Sequence, residues 1–377
     1  MRKVTDLLKV TGCRVTRAKT ILIVFTAAIL NSHQVRALHY TEAEKAKMEE
    51  LWEVATLWEV GENREKVPKA REELIKFGEK AIEFILTEKM DTIDSLQTRA
   101  IDVVIQALPE ISKPMMLTAL ERETRQNAGA NLIRLLALLK ATEASPTIMK
   151  IVQDGKLASG TPLNPRLRRT ILDALGTLDY EPALGIVAQS LLTGDERERL
   201  ISAQSLGRFS SLEKLRYLLI ALGDERFTVR MSAFDGLKEA FRKEPKEVWE
   251  RLRSQLPEGW MADEAVQEGG SIERRKGELL ALWGEFGVIL ADRLYGFKLR
   301  VPIEEERARE ILDQIVDELS QSARDERWER RFRATQALSR IGCPRAREVL
   351  RERAKLEENE LVLQVIQDAL GIGAKGF

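Results

Sequence analysis

The sequence predicts an all-α protein, an α-solenoid of stacked helical hairpins, and three observations carry that expectation. First, Arg168, Arg199 and Arg230 lie 31 residues apart, and each is followed seven residues later by a leucine (Leu175, Leu206, Leu237); the phrase returns at Arg331 and Leu338. A fixed period of this length marks a repeat array. Second, 44% of the 377 residues are hydrophobic and 32% charged, with only 11 prolines and 23 glycines. The dominance of Leu, Ala, Glu, Arg and Lys is a helix-forming palette. Third, apolar residues alternating at period two are hard to find, so strands are not expected. In such an array each repeat buries its apolar face only against its neighbours, so length does not translate into a number of globular domains.

Residues 1–37 read as a secretory signal peptide. Arg2, Lys3, Lys9, Arg14, Arg17 and Lys19 form a basic segment, and Thr20–Leu30 is an apolar core of 11 residues. A bilayer-spanning helix needs about 20 apolar residues, so this core is too short to span. Val35-Arg36-Ala37 places small residues for cleavage after Ala37, and a translation start nearer Val15 would leave a more compact basic segment. The alternative is an uncleaved N-terminal membrane anchor. The expectation is therefore an exported chain, periplasmic or extracellular, with no stable membrane span after cleavage.

The net charge of zero hides an asymmetry. Removing residues 1–37, with seven basic side chains and one acid, leaves 53 basic and 59 acidic residues, a net charge of −6. That balance argues against nucleic acid as a partner and against general binding to anionic membranes. Cys343 is the only cysteine after residue 37, so no intramolecular disulfide is expected and stability has to come from packing.

Residues 38–155 read as divergent helical repeats. Met48, Leu51, Trp52, Ala55 and Trp58 are spaced for one amphipathic helix from Thr41 to Val60, ended by Gly61-Glu62-Asn63. Val67–Met90 follows, with Gly78 read as a point of close helix approach and Ala81, Ile82 and Ile85 facing a partner. Leu96–Leu108 pairs with Pro114–Arg125, and Asn131–Lys140 with Pro146–Gln153. Gly155–Pro165, rich in Gly, Pro, Ser and Asn, reads as an enlarged loop. Residues 156–256 hold the clearest repeats: Leu167–Leu178 with Glu181–Leu192, Glu196–Phe209 with Leu212–Leu222, and Phe227–Phe241 with Pro245–Leu256. Helices this short need the stack to be stable in water.

Residues 257–272 (PEGWMADEAVQEGGSI) interrupt the period and read as an inserted loop, and long loops in a compact array are often functional. Residues 273–377 resume as C-terminal helical repeats. Arg274–Leu294 is a helix or helix pair, Ile303–Ser320 is helical, and Asp325–Ile341 pairs with Arg345–Leu356. Leu361–Leu370 begins a last repeat ended by Gly371.

Asp224-x5-Arg230-x6-Leu237 and Asp325-x5-Arg331-x6-Leu338, with Ala233 and Ala334 inside them, resemble the HEAT-repeat phrase, in the short form shared with phycobilisome-lyase HEAT-like repeats. Its Ala-Leu-Gly ending stands at Ala174-Leu175-Gly176 and at Ala369-Leu370-Gly371. The match covers roughly 164–256 and 324–373 and is weak over 41–155. Two departures stand out: Asp195 lies two positions out of register with Asp224 when Leu206 and Leu237 are aligned, and Leu363 replaces the arginine in the last repeat. The resemblance implies an α-solenoid that binds proteins, and it carries over no catalytic residue.

Two readings fit the arginine ladder of Arg168, Arg199, Arg230 and Arg331. Each arginine pairs with a carboxylate or helix end of the neighbouring repeat, or the row binds an anionic partner. Arg324–Arg353 holds ten arginines and five acids. It reads either as solvated helix faces with i,i+4 pairs such as Glu326/Arg330 and Glu329/Arg333, or as a basic patch for an acidic partner. Of six tryptophans, Trp52, Trp58, Trp249, Trp283 and Trp328 fall on apolar stripes or at helix starts and are read as core. Trp260, with Met261, sits in the inserted loop as either a groove cap or an exposed contact.

Enzyme chemistry is not expected. The two histidines are His33 and His39, and neither a glycine-rich nucleotide loop nor a nucleophile elbow occurs. One His and one Cys cannot build a zinc site or a Ser-His-Asp triad, so catalytic residues, metal and cofactors are all expected to be none. The function expected is a non-enzymatic exported scaffold that binds a protein partner on its concave surface. Its rivals are a client-handling, lyase- or chaperone-like HEAT protein, and a DNA-binding HEAT solenoid, which the acidic charge disfavours.

Overall fold

The 31-residue period materialises as a stack of helix pairs. The structure, a computed structural model, describes residues 40–256, 270–296 and 301–372. The proposed signal peptide, Trp260 and Met261 lie outside the described residues. Among these residues there are 18 α-helices: α1 (Glu42–Ala55), α2 (Asn63–Lys76), α3 (Glu79–Phe84), α4 (Ser95–Ala107), α5 (Pro109–Arg122), α6 (Gln126–Leu138), α7 (Ser145–Asp154), α8 (Pro165–Thr177), α9 (Leu184–Thr193), α10 (Glu196–Arg208), α11 (Lys214–Ala221), α12 (Phe227–Lys243), α13 (Pro245–Gln255), α14 (Gly270–Tyr295), α15 (Glu305–Ser322), α16 (Trp328–Ile341), α17 (Pro344–Ala354) and α18 (Glu360–Leu370). No strand occurs among the described residues, and the single β-bridge joins Lys156 to Pro162. No described helix is long and apolar enough to cross a membrane.

Local chemistry sets where the helices begin. Thr41 and Glu44 form a capping box at α1: the Glu44 amide donates to Thr41 Oγ1 (3.2 Å) and the Thr41 amide to Glu44 Oε2 (2.8 Å). Asp94, Asn164, Asp195 and Asn359 cap α4, α8, α10 and α18 with their side-chain oxygens. Pro109, Pro165, Pro245 and Pro344 each open a helix, where the missing N–H costs nothing.

Even-numbered helices from α2 onward pack on one another as one layer, and odd-numbered helices form the other. The buried stripe of the even layer is the repeat itself: Leu175, Leu206, Leu237 and Leu338 are all fully buried, as are Ala203, Ala233 and Ala334. Glycine sets the spacing. A Cβ on Gly176 would fall 2.6 Å from Ser205 Cβ, one on Gly236 3.0 Å from Gly207 Cα, and one on Gly284 2.8 Å from Ala337 Cβ. The even helices therefore approach more closely than the odd ones from α6 to α12 and again from α14 to α18. The even layer is therefore the more closely packed row over those stretches.

Several expectations are corrected. The first helix stops at Ala55, not Val60. The Thr56 hydroxyl and amide both turn back onto the Trp52 carbonyl (2.9 and 3.1 Å), and Trp58 lies beyond the helix, 68% exposed rather than in the core. Gly78 does not serve close approach, because a Cβ there would meet nothing within 4 Å; its φ of +58° turns the chain between α2 and α3. Pro114 lies inside α5 rather than opening a helix. Arg274–Leu294 belongs to one 26-residue helix, α14, which starts at Gly270, so 270–272 are helical rather than loop. The 155–164 segment is a loop as expected. Leu157 packs against Gly129 of α6, and the Gln126 side chain holds the segment at Pro162 O (3.0 Å) and Asn164 N (3.1 Å).

The contact between α12 and α14 is sparser than those on either side of it in the even row, and long side chains bridge this part of the stack. Phe241 stacks on Phe286 at 3.8 Å, Trp249 meets Trp283 edge-on at 5.0 Å, and the Trp249 indole donates to Gln314 Oε1 (2.7 Å). The first pair joins α12 to α14 and the second joins α13 to α14, and both bury large aromatic area.

Candidate partner-binding surface

Each ladder arginine reaches a carboxylate of a later helix or turn. Arg168 Nε lies 3.2 Å from Glu198 Oε1. Arg199 grips Asp224 with two nitrogens (2.8 and 3.3 Å) and adds Glu225 (3.1 Å). Arg230 Nε donates to Glu278 Oε1 (3.2 Å), crossing from α12 to α14. Arg331 holds Glu357 through Nε (2.9 Å) and Nη2 (2.8 Å).

The Asp-x5-Arg phrase has a second job. Nη1 of Arg230 donates to the carbonyls of Asp224 (2.9 Å) and Glu225 (3.2 Å), and Nη1 of Arg331 to those of Asp325 (3.0 Å) and Glu326 (2.8 Å). The aspartates accept from the amides of Arg226 (2.8 Å) and Arg327 (2.9 Å). One arginine thus clamps the turn that opens its own helix and ties it to the next repeat, which satisfies carbonyls left open at the turn.

Glu357 is the most enclosed carboxylate of this system. Its side chain has no exposed surface, and it accepts from Arg331, from Arg353 Nε (2.9 Å) and from the Asn359 amide (2.9 Å). Burial pushes its carboxyl up, but these donors outweigh burial and hold it at about 2, against an ordinary 4.5. Glu285 plays a similar part between α12, α14 and α16. Burial raises it, yet Lys238 (2.9 Å) and Arg340 hold it below the usual carboxylate range.

The ladder's guanidinium groups are thus engaged within the stack. Neither expected i,i+4 pair forms. Arg330 turns inward to Asp325 (2.8 Å) and Glu273 (2.8 Å) instead of Glu326, and Arg333 points away from Glu329 toward α14. For Arg330, a tertiary partner 57 residues distant replaces the sequence neighbour Glu326.

A groove of about 510 Å³ opens on the even-helix face across α14, α16 and α18. The small residues Ala281 and Ala337 are among its lining. Trp328, Phe332 and Leu361 line it, with Arg333, Gln336 and Arg340 alongside. Trp328 and Phe332 meet edge-on at 6.5 Å, yet Trp328 remains 40% exposed and Leu361 53% exposed. Trp52, Trp249 and Trp283 are core as expected, whereas Trp328 lines this groove. Sequence reading missed the groove. The signal was the two aromatics on α16, which fall out of phase with its buried stripe of Ala334, Leu338 and Ile341.

Among the described residues, no group of three or more His, Cys, Asp or Glu side chains is placed to hold a metal ion. Cys343 is buried and caps α17, its Sγ accepting from the Ala346 amide (3.4 Å).

No protein-family model and no curated protein matches the chain. Among solved structures it is similar to importin β crystallised in an ammonium sulfate condition, at 14% identity and a TM-score of 0.49, over 95% of this chain and 49% of that one. It is also similar to human deoxyhypusine hydroxylase in complex with glycerol (14% identity, TM-score 0.25, 87% of this chain and 96% of that one). An engineered protein matches at 15% identity and a TM-score of 0.35, over 88% of this chain and 100% of that one. The chain spans about half the length of the importin β chain. Its assignment as a helical solenoid rests on the helix pairing described above.

Proposed function

We propose that this chain is a non-enzymatic HEAT-like scaffold, exported from the cytoplasm, that binds a protein partner along its even-helix face. The observation that carries the reading is the α14–α16–α18 groove. Trp328, Phe332 and Leu361 lie open on the even layer, where packing of the stack makes no use of their exposed surface. Open apolar side chains gathered in one depression mark interaction sites, and Trp is the residue that most often anchors them. The ladder arginines belong to the stack in this reading. The carboxyl of Glu357 likewise belongs to the stack, since it is engaged by three donors.

Export rests on the basic segment and 11-residue apolar core before Ala37. Trp260 and Met261 remain candidate contacts on sequence grounds, as adaptable apolar side chains in an interrupting segment. The test is expression in the native host with a C-terminal tag, followed by intact-mass measurement and crosslinking in the extracytoplasmic fraction. The expected mass lacks residues 1–37, and the captured protein is lost with Trp328→Ala/Phe332→Ala. Full-length chain confined to the cytosol would defeat export, and capture that ignores both substitutions would defeat the even-face reading.

A further inference from the structure

We infer that the α14–α16–α18 groove accepts an acidic peptide segment of the partner, with one apolar side chain seated over Ala281 and Ala337 and a carboxylate on Arg333; this rests on the scaffold reading and specifies its ligand.

Three observations converge. Arg333 lines the groove with no carboxylate partner among the described residues, while Arg327, Arg330, Arg331 and Arg340 on the same helix or its N-terminal turn are all in ion pairs. The obvious intrahelical partner, Glu329, is one turn away and is not used. Instead the guanidinium lies across Gly277 of α14, where an added Cβ would sit 3.0 Å from Arg333 Cζ and 3.1 Å from Nε. Glycine inside a helix is less stable than alanine, and at Gly277 its missing Cβ leaves the space that this guanidinium occupies.

The apolar part is as specific. Small Ala281 and Ala337 and the larger Trp328, Phe332 and Leu361 line the same depression of about 510 Å³. That volume accommodates an apolar side chain of a partner. Gln336, one turn beyond Phe332 on the same face, offers both a donor and an acceptor to a peptide backbone. Glu329 at the Trp328 end repels carboxylates there, so the acidic residues of the ligand lie toward Arg333 and away from Glu329. A guanidinium offers a carboxylate a bidentate fork, which gives orientation as well as attraction. A nucleic acid would need a track of free cations along its phosphates, whereas among the described residues lining the groove only Arg333 is outside an ion pair.

The experiment uses the full chain to select from a library of random short peptides, followed by affinity measurement with the best synthetic peptide. Enriched sequences should carry one aromatic or large aliphatic residue beside Asp or Glu, and binding should weaken as salt rises. Arg333→Ala should weaken the synthetic peptide roughly ten-fold. Gly277→Ala should weaken it several-fold while Tm stays at or above wild type, because alanine favours the helix and only displaces the guanidinium. That second variant separates a binding role from a folding defect. Basic or uncharged consensus sequences, no enrichment, or equal affinity for Arg333→Ala would overturn the inference. So would self-association of the chain that Trp328→Ala abolishes, since the groove would then hold a second copy. If a partner is captured in the native host through the even face but peptides show no acidic preference, this inference alone fails; if no partner is captured, the scaffold reading itself fails.

Discussion

Glu357→Gln is the perturbation that tests the ladder most sharply. The substitution keeps the shape of the side chain but removes the charge that Arg331 and Arg353 both address. The carboxyl sits at about 2 in the folded chain against an ordinary 4.5, and each unit of such a shift is worth about 1.4 kcal/mol, so the charged form stabilises the C-terminal repeats by about 3 kcal/mol at neutral pH. Both arginines retain some exposure and can rehydrate in the variant, which places the expected loss at about 2–4 kcal/mol. Because the folded value is depressed, this stabilisation is complete above 4.5 and is lost as pH falls toward about 2. Urea titrations followed by circular dichroism, run on wild type and variant across that range, give the gap directly. Other acids titrate in both proteins and cancel in the difference. The gap should be widest at neutral pH and nearly closed at the acid end. A gap below about 1 kcal/mol at neutral pH, or one that does not narrow on acidification, would refute the reasoning.

Three further outcomes follow from the stack. Leu206→Ala and Leu237→Ala each remove a fully buried side chain and should cost roughly 2–5 kcal/mol in denaturant titration. Arg230→Ala leaves Glu278 and the carbonyls of Asp224 and Glu225 without their donor, and should lower stability by about 1–3 kcal/mol; an unchanged melting curve would return the ladder to a binding role. Gly176→Ala should destabilise by about 1–3 kcal/mol, because its Cβ would fall 2.7 Å from the Ser205 backbone, where no flexible side chain can yield.

The parts of this architecture that depend on local chemistry were legible in the sequence. The period placed Leu175, Leu206 and Leu237 in the core, and the Asp-x5-Arg phrase marked turns that open α12 and α16. Partner choice was not legible, because it depends on distance through the fold. Arg230 finds Glu278 across a 48-residue separation, and Arg330 finds Glu273 in preference to a carboxylate one turn away. Spacing alone also misassigned Trp58 and Trp328. Trp58 continues an apolar pattern in phase, but the helix ends before it; Trp328 stands at a helix start, out of phase with the buried stripe of α16, and stays 40% exposed. The groove over Ala281 and Ala337 was invisible for the same reason, since it is made by two small residues from helices 56 positions apart.

The central claim is that the even layer is the binding face. Hydroxyl-radical footprinting of the full chain, free and bound to the partner captured in its native host, tests it most directly. The account predicts protection of Trp328, Phe332 and Leu361 on α16 and α18, with the exposed Leu192 and Ile220 of odd helices α9 and α11 equally reactive in both states. Protection of Leu192 and Ile220 with Trp328 unchanged would contradict it.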